Sequence, residues 1–149
     1  MKRLLALGLI AAAPAAATAA PPMPRWTAAG MDHAGRTIEI DRNSLNWRSV
    51  QRAWWRVSYP EPRRDGTVEE RHLELVDCRD GTSAVIRIVS LDGTGRVLNE
   101  QVDGEELALQ RLSPPTPDTA GETVTREACR LRPPPPPPPP RKRMMQKQK

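Results

Sequence analysis

Cys78 and Cys129 stand 51 residues apart in a chain whose opening reads as an export signal, and together these two facts constrain the fold more than any other feature. Residues 1–20 carry a positive start at Lys2 and Arg3, an apolar run from Leu4 to Ala13, and small residues ahead of a cut after Ala19 or Ala20. The apolar run is too short to cross about 30 Å of hydrocarbon, and Pro14 disfavours helix just beyond it. No cysteine follows the cut to take a lipid, and no later segment is apolar enough to be transmembrane. The expected product is exported: periplasmic, secreted or at the cell surface. In an oxidising compartment an even pair of cysteines reads as a disulfide. Neither cysteine lies in C-x-x-C and there is no second pair, which argues against a zinc site or thioredoxin-like chemistry. Closing a loop of this length restricts the unfolded chain by about 4 kcal/mol, a large share of the stability of a small domain.

The remaining composition bounds one such domain. The 149 residues include 17 prolines, one tyrosine and no phenylalanine. The boundaries are residues 1–20 as signal peptide, 21–132 as the folded domain, and 133–149 as a polyproline spacer with a basic tail. Of the 23 basic residues, seven lie at the two ends; the 16 arginines left in the middle face all 18 acidic residues, a net −2. These charges alternate in sign, as in "EPRRDGTVEERHLE", which reads as a solvated surface and argues against a nucleic-acid partner.

Strand patterning dominates the domain. "PPMPRW" is an extended lead-in, since each proline disfavours helix in the residue before it. Arg36 to Asp41 alternates as a short strand with Ile38 and Ile40 on one face, and "RNSLNW" supplies turn formers. Val50 to Tyr59 is the strongest strand pattern, with Ala53, Trp55, Val57 and Tyr59 on one face and Arg52, Trp54, Arg56 and Ser58 on the other. Val68 to Cys78 runs extended again; its apolar residues change face along the strand, so either both faces are covered or a bulge shifts the register. "TSAVIRIVSL" is apolar on both faces, as expected of a central strand, and "DGTG" turns it into Arg96 to Val102. Gly93 and Gly95 lack the third glycine and the following helix that a dinucleotide fingerprint needs. One helix is expected, roughly Ala120 to Arg130. Thr119 and Glu122 form its capping box, Ala120, Val124 and Ala128 its apolar stripe, and Arg126 and Arg130 suit its negative end.

No catalytic constellation emerges, and the reading is of a protein that is not an enzyme, with no cofactor and no metal. His33 and His72 lie in no triad or H-E-x-x-H setting and read as solvated, as does Asp32 beside His33. Glu69-Glu70 and Glu105-Glu106 read as adjacent strand residues whose side chains diverge. Trp54 is the residue of interest. It either packs beneath the helix or stands between Arg52 and Arg56 as a binding platform, a composition enriched at interaction hot spots. Beyond it, Pro133 to Pro140 should form a polyproline helix about 25 Å long. The tail it carries has five positive charges, Arg141, Lys142, Arg143, Lys147 and Lys149, and no negative ones; the alternatives are a contact with an anionic envelope surface or an extension without a partner.

From Trp26 to Cys129 the chain resembles the surface-adhesin protein E family of small exported bacterial domains. The resemblance rests on Trp26 itself, "IEIDRNSL", "AWWRVSYPEP", "LELVDC", "DGTGRV", "PDTAGE" and "EAC", in that order and spacing. It implies an α+β fold: an antiparallel sheet of about six strands with one C-terminal helix tethered to it through Cys78 and Cys129. It also implies a protein ligand, the best-known member being an adhesin that binds host extracellular-matrix and plasma proteins, including vitronectin, laminin and plasminogen. Lysine-bearing binding segments do not carry over, because no lysine lies between Arg3 and Lys142. The alternative is a periplasmic envelope-associated or inhibitor-like module tethered by its basic tail.

Overall fold

Residues 23–138 are described by the computed structural model of the chain. Six strands follow one another as β1 (Trp26–Met31), β2 (Thr37–Asp41), β3 (Val50–Ser58), β4 (Glu69–Asp77), β5 (Thr82–Leu91) and β6 (Val97–Val102). They form one antiparallel sheet in the order of the sequence, a meander in which every neighbour in space is a neighbour in the chain. Helix α1 (Glu105–Gln110) and helix α2 (Ala120–Leu131) follow, and a single 3-10 turn, Arg42–Ser44, leaves β2.

The two helices lie on opposite faces. The Val124 and Ala128 side of α2 is fully buried against Ile38, Ile40, Ala53, Trp55, Val57 and Val76, the main core. On the other face α1 puts Ala108 over Leu75 and Ile86, a smaller cluster joined by Leu73, Ala84 and Leu112. Of the two arrangements open for β4, coverage of both faces is the one present: β4 pairs with β3 without a shift, and the slip in its pairing with β5, between Leu73 and Glu74, leaves the extra residue, Ile86, on β5. Ordinary alternation gives Val76 to the α2 face and Leu75 to the α1 face.

Cys78 and Cys129 are bonded, with their Cα atoms 5.4 Å apart, so the end of β4 is tied to the last turn of α2. Gln51, almost wholly buried, knits the same junction. Its amide nitrogen donates to Cys78 Sγ at 3.3 Å and to the Ala128 carbonyl at 3.1 Å, while its oxygen accepts from the Asn46 amide. At the other end of α2, the Thr119 hydroxyl accepts from the Glu122 amide; the reciprocal arm of the box reaches one residue further, Glu122 Oε2 accepting from the Asp118 amide at 2.8 Å. Gly30 permits the close approach of α2 to β1: a β-carbon there would meet Thr123 Cγ2 at 2.9 Å.

Several expectations are corrected. Trp26 begins a paired edge strand, β1, where a lead-in was expected. The helix count rises to two among the described residues, and Glu105 and Glu106 lie in the first turn of α1, not on a strand. β5 is one strand from the edge, and Val85 is exposed, because neither helix covers its whole length. Arg130 does lie in the last turn of α2, where it also pairs with Glu127.

Candidate binding site

Strand alternation and the placement of α2 together decide what the sheet shows to solvent. Trp55 points to the α2 face and Trp54 to the opposite one, so Trp54 does not lie beneath α2. It is half-buried in a cleft of about 500 Å³ that it forms with Met23, Pro24, Trp26, Asp41, Asn43, Ser44 and Arg71.

The floor of the cleft is built by local hydrogen bonding. Asp41 ends β2 with its carboxylate accepting from the Arg25 amide at 2.7 Å and the Asn43 amide at 2.9 Å, which folds the chain into the 3-10 turn. Ser44 donates to the Asp41 carbonyl and accepts from the Trp54 amide at 2.9 Å, so the turn is pinned against β3. Asn43 donates to the Met23 carbonyl and holds the N-terminal wall in place.

The walls are aromatic and cationic. The Arg56 guanidinium lies 4.7 Å from the Trp26 ring centroid and the Arg71 guanidinium 5.9 Å from it. Arg56 and Arg71 face each other across β3 and β4, an arrangement of like charges offset by carboxylates. Arg56 donates to Glu39 at 2.8 Å and to Glu69 at 3.1 Å, and Arg71 donates to Glu69 at 2.5 Å. This network fixes the Trp26 ring without covering the cleft.

Of the residues singled out from the sequence, Trp54 and Arg56 belong to this region and Arg52 does not. Arg52 pairs with Glu105 at the start of α1, away from the cleft lining. Trp26 and Arg71 were missed as site residues. The available clue was phase: Arg71 shares its strand face with Glu69 and Leu73, and W-T-A-A-G-M gives Trp26 too little apolar alternation to announce a strand. The five basic tail residues, Arg141, Lys142, Arg143, Lys147 and Lys149, lie outside the described residues, as does the signal peptide.

A second polar cluster lies beneath α2. His72 stacks on Trp55, ring centroids 4.0 Å apart and planes within 13°, and both its ring nitrogens are buried without a hydrogen bond. Burial holds its imidazole below the ordinary 6.5, against the opposing pull of Glu70 3.7 Å away. Glu74, 2% exposed, accepts from Trp55 Nε1 at 2.8 Å; burial pushes its carboxyl above the usual range, and bonds from Ser83 and Trp55 oppose that shift. The solvated reading of His72 is thus corrected. Asp32 is also more built than expected: it accepts from the Ala34 and Arg36 amides and pairs with the Arg36 side chain, while His33 beside it is exposed. Glu69 and Glu70 do diverge, Glu69 toward Arg56 and Arg71, Glu70 toward Tyr59 and Arg63.

Among the described residues no group of three or more His, Cys, Asp or Glu side chains is placed to hold a metal ion, and no helix is long and apolar enough to cross a membrane. Comparison of the chain with protein-family models, with curated protein sequences and with solved structures returns no match.

Proposed function

We propose that the chain is an exported, non-enzymatic binding protein that engages a protein ligand through the Trp26–Trp54 cleft, a role in keeping with its resemblance to the surface-adhesin protein E domains. The observation that carries this reading is the pairing of two partly exposed tryptophans with Arg71 on the stretch of sheet left uncovered by either helix. Large rigid aromatic side chains give contact area at little entropic cost and arginine adds a planar fork of donors, which is why both are enriched at interaction hot spots. His72 and Glu74, whose displaced pKa values have burial as their largest cause, lie on the other face. The extracellular-matrix and plasma proteins suggested by the resemblance are the first ligands to test.

The experiment is retention of the exported protein on immobilised laminin, vitronectin and plasminogen, comparing wild type with Trp54→Ala and Arg52→Ala. The expected result is retention of wild type and Arg52→Ala on at least one surface and a loss of roughly tenfold or more in affinity for Trp54→Ala. Equal retention of all three would remove the cleft from the account. A second reading, a periplasmic envelope-associated or inhibitor-like module, is favoured by the uniformly basic end of the sequence. Digestion of the protein on intact cells separates the two, because a periplasmic protein is protected until the envelope is opened.

A further inference from the structure

The cleft has a repeat distance as well as a composition. Trp26 sits opposite Asp41, and continuing the β2–β3 register places Asp41 opposite Trp54, so the two indoles flank the short Asp41 side chain from strands two apart. Two strand spacings are about 9.5 Å. One turn of a polyproline helix is three residues of 3.1 Å, or about 9.3 Å. Two aromatic ridges at the pitch of such a helix, with a low polar floor between them, form the kind of groove into which successive turns of a proline-rich segment fit. The carbonyls of that segment have no internal partners and need donors from the groove. Arg71 lies in the lining, and the Trp26 and Trp54 indole N–H groups make no hydrogen bond among the described residues, whereas that of Trp55 is taken by Glu74.

The chain carries such a segment. Pro133–Pro138 are all exposed, and the first two border a hollow with Arg25, Arg42, Asn43 and the end of α2. Asn43 lines both this hollow and the cleft, so the proline run leaves the fold beside the cleft without lining it. A polyproline helix is stiff over several residues and does not turn back on itself within two or three. A two-fold partner meets no such restriction, since each copy can offer its run to the other.

Resting on the reading of the cleft as a binding site, we propose that its occupant is a proline-rich segment in the polyproline conformation, supplied by Pro133–Pro138 of a second copy of the chain. Six prolines make two turns, about 19 Å, one turn for each indole.

The test uses the exported chain and a variant in which Pro133 to Pro138 are all changed to serine. Sedimentation over a wide concentration range should show reversible dimerisation of wild type, and loss of it both in the serine variant and in Trp54→Ala. A synthetic octaproline peptide titrated into the serine variant should shift its tryptophan emission. Adding Trp54→Ala or, should that variant not fold, Arg71→Ala should weaken the peptide roughly tenfold. Emission unchanged by octaproline would overturn the proline assignment while leaving the matrix-protein retention assay to judge the cleft. Octaproline binding together with self-association that ignores the serine substitutions, or with no self-association, would overturn the second copy as its source.

Discussion

Trp54 and Trp55 are chain neighbours with opposite surroundings, because a strand turns successive side chains to opposite faces. Trp55 is 5% exposed, stacked on His72 and hydrogen-bonded to Glu74; Trp54 opens onto the cleft. Trp55→Phe should therefore remove emission that acrylamide quenches poorly and Trp54→Phe emission that it quenches well, and the reverse pattern would mean that the faces are exchanged. The stacked imidazole gives a pH dependence with a definite sign. Because burial lowers the folded-state pKa of His72, the unfolded chain takes up the proton first, so stability falls as pH drops below about 6.5 toward the folded value. Urea midpoints of wild type should decline through that window, and those of His72→Phe should decline less; parallel curves would remove His72 as the cause. Glu74 works in the other direction. Its folded-state pKa is raised above 4.5, so the unfolded chain gives up the proton first and stability falls as pH rises from 4.5 through the folded value. Glu74→Gln keeps an acceptor for Trp55 Nε1 without a charge to bury, and its melting temperature at neutral pH should rise by a few degrees, about 1 kcal/mol. A lower melting temperature would show that the carboxylate is better solvated than its burial implies.

At the scale of elements, the close contact of α2 with β1 depends on the absence of a side chain at position 30. Gly30→Ala should cost about 1–3 kcal/mol by denaturant unfolding, since the new methyl would meet the Thr123 side-chain methyl at 2.9 Å. Arg52→Ala should cost under about 1 kcal/mol, because its pairing with Glu105 is exposed on both sides. What was legible in the sequence follows from how strongly each element is patterned. β2 through β6 and α2 were readable because Ile38 and Ile40, Ala53 to Tyr59, and Ala120, Val124 and Ala128 repeat at the period of their element. β1 was not, since its sequence offers small residues and a bulge between Ala28 and Gly30, and its pairing comes from β2. α1 was not, because six residues with one buried alanine leave no periodic stripe to recognise. The cleft was half legible for the same reason: Trp54 stood out within a strong strand, whereas Trp26 and Arg71 join it only through register across four strands.

For the whole molecule, one bond decides how far the two layers can separate. A sheet meander has local contacts throughout, but α2 returns across β1, β2, β4 and β5 from the far end of the chain, and the Cys78–Cys129 bridge limits that separation in the unfolded state. Reduction should lower stability by about 4 kcal/mol, read as a lower urea midpoint, and an unchanged midpoint would show that Gln51 and the core hold α2 without it. The bridge stands on the α2 face and the cleft on the other, so the fold presents Trp26 and Trp54 from a sheet stiffened on its opposite side. The most direct test of that arrangement as the proposed binding surface is hydroxyl-radical footprinting of the purified protein, alone and in the presence of whichever matrix or plasma protein retains it in the retention assay. The account predicts that Trp26 and Trp54 lose reactivity while Trp47, 50% exposed and outside the cleft, keeps it. Protection of Trp47 with Trp26 and Trp54 unchanged would contradict it.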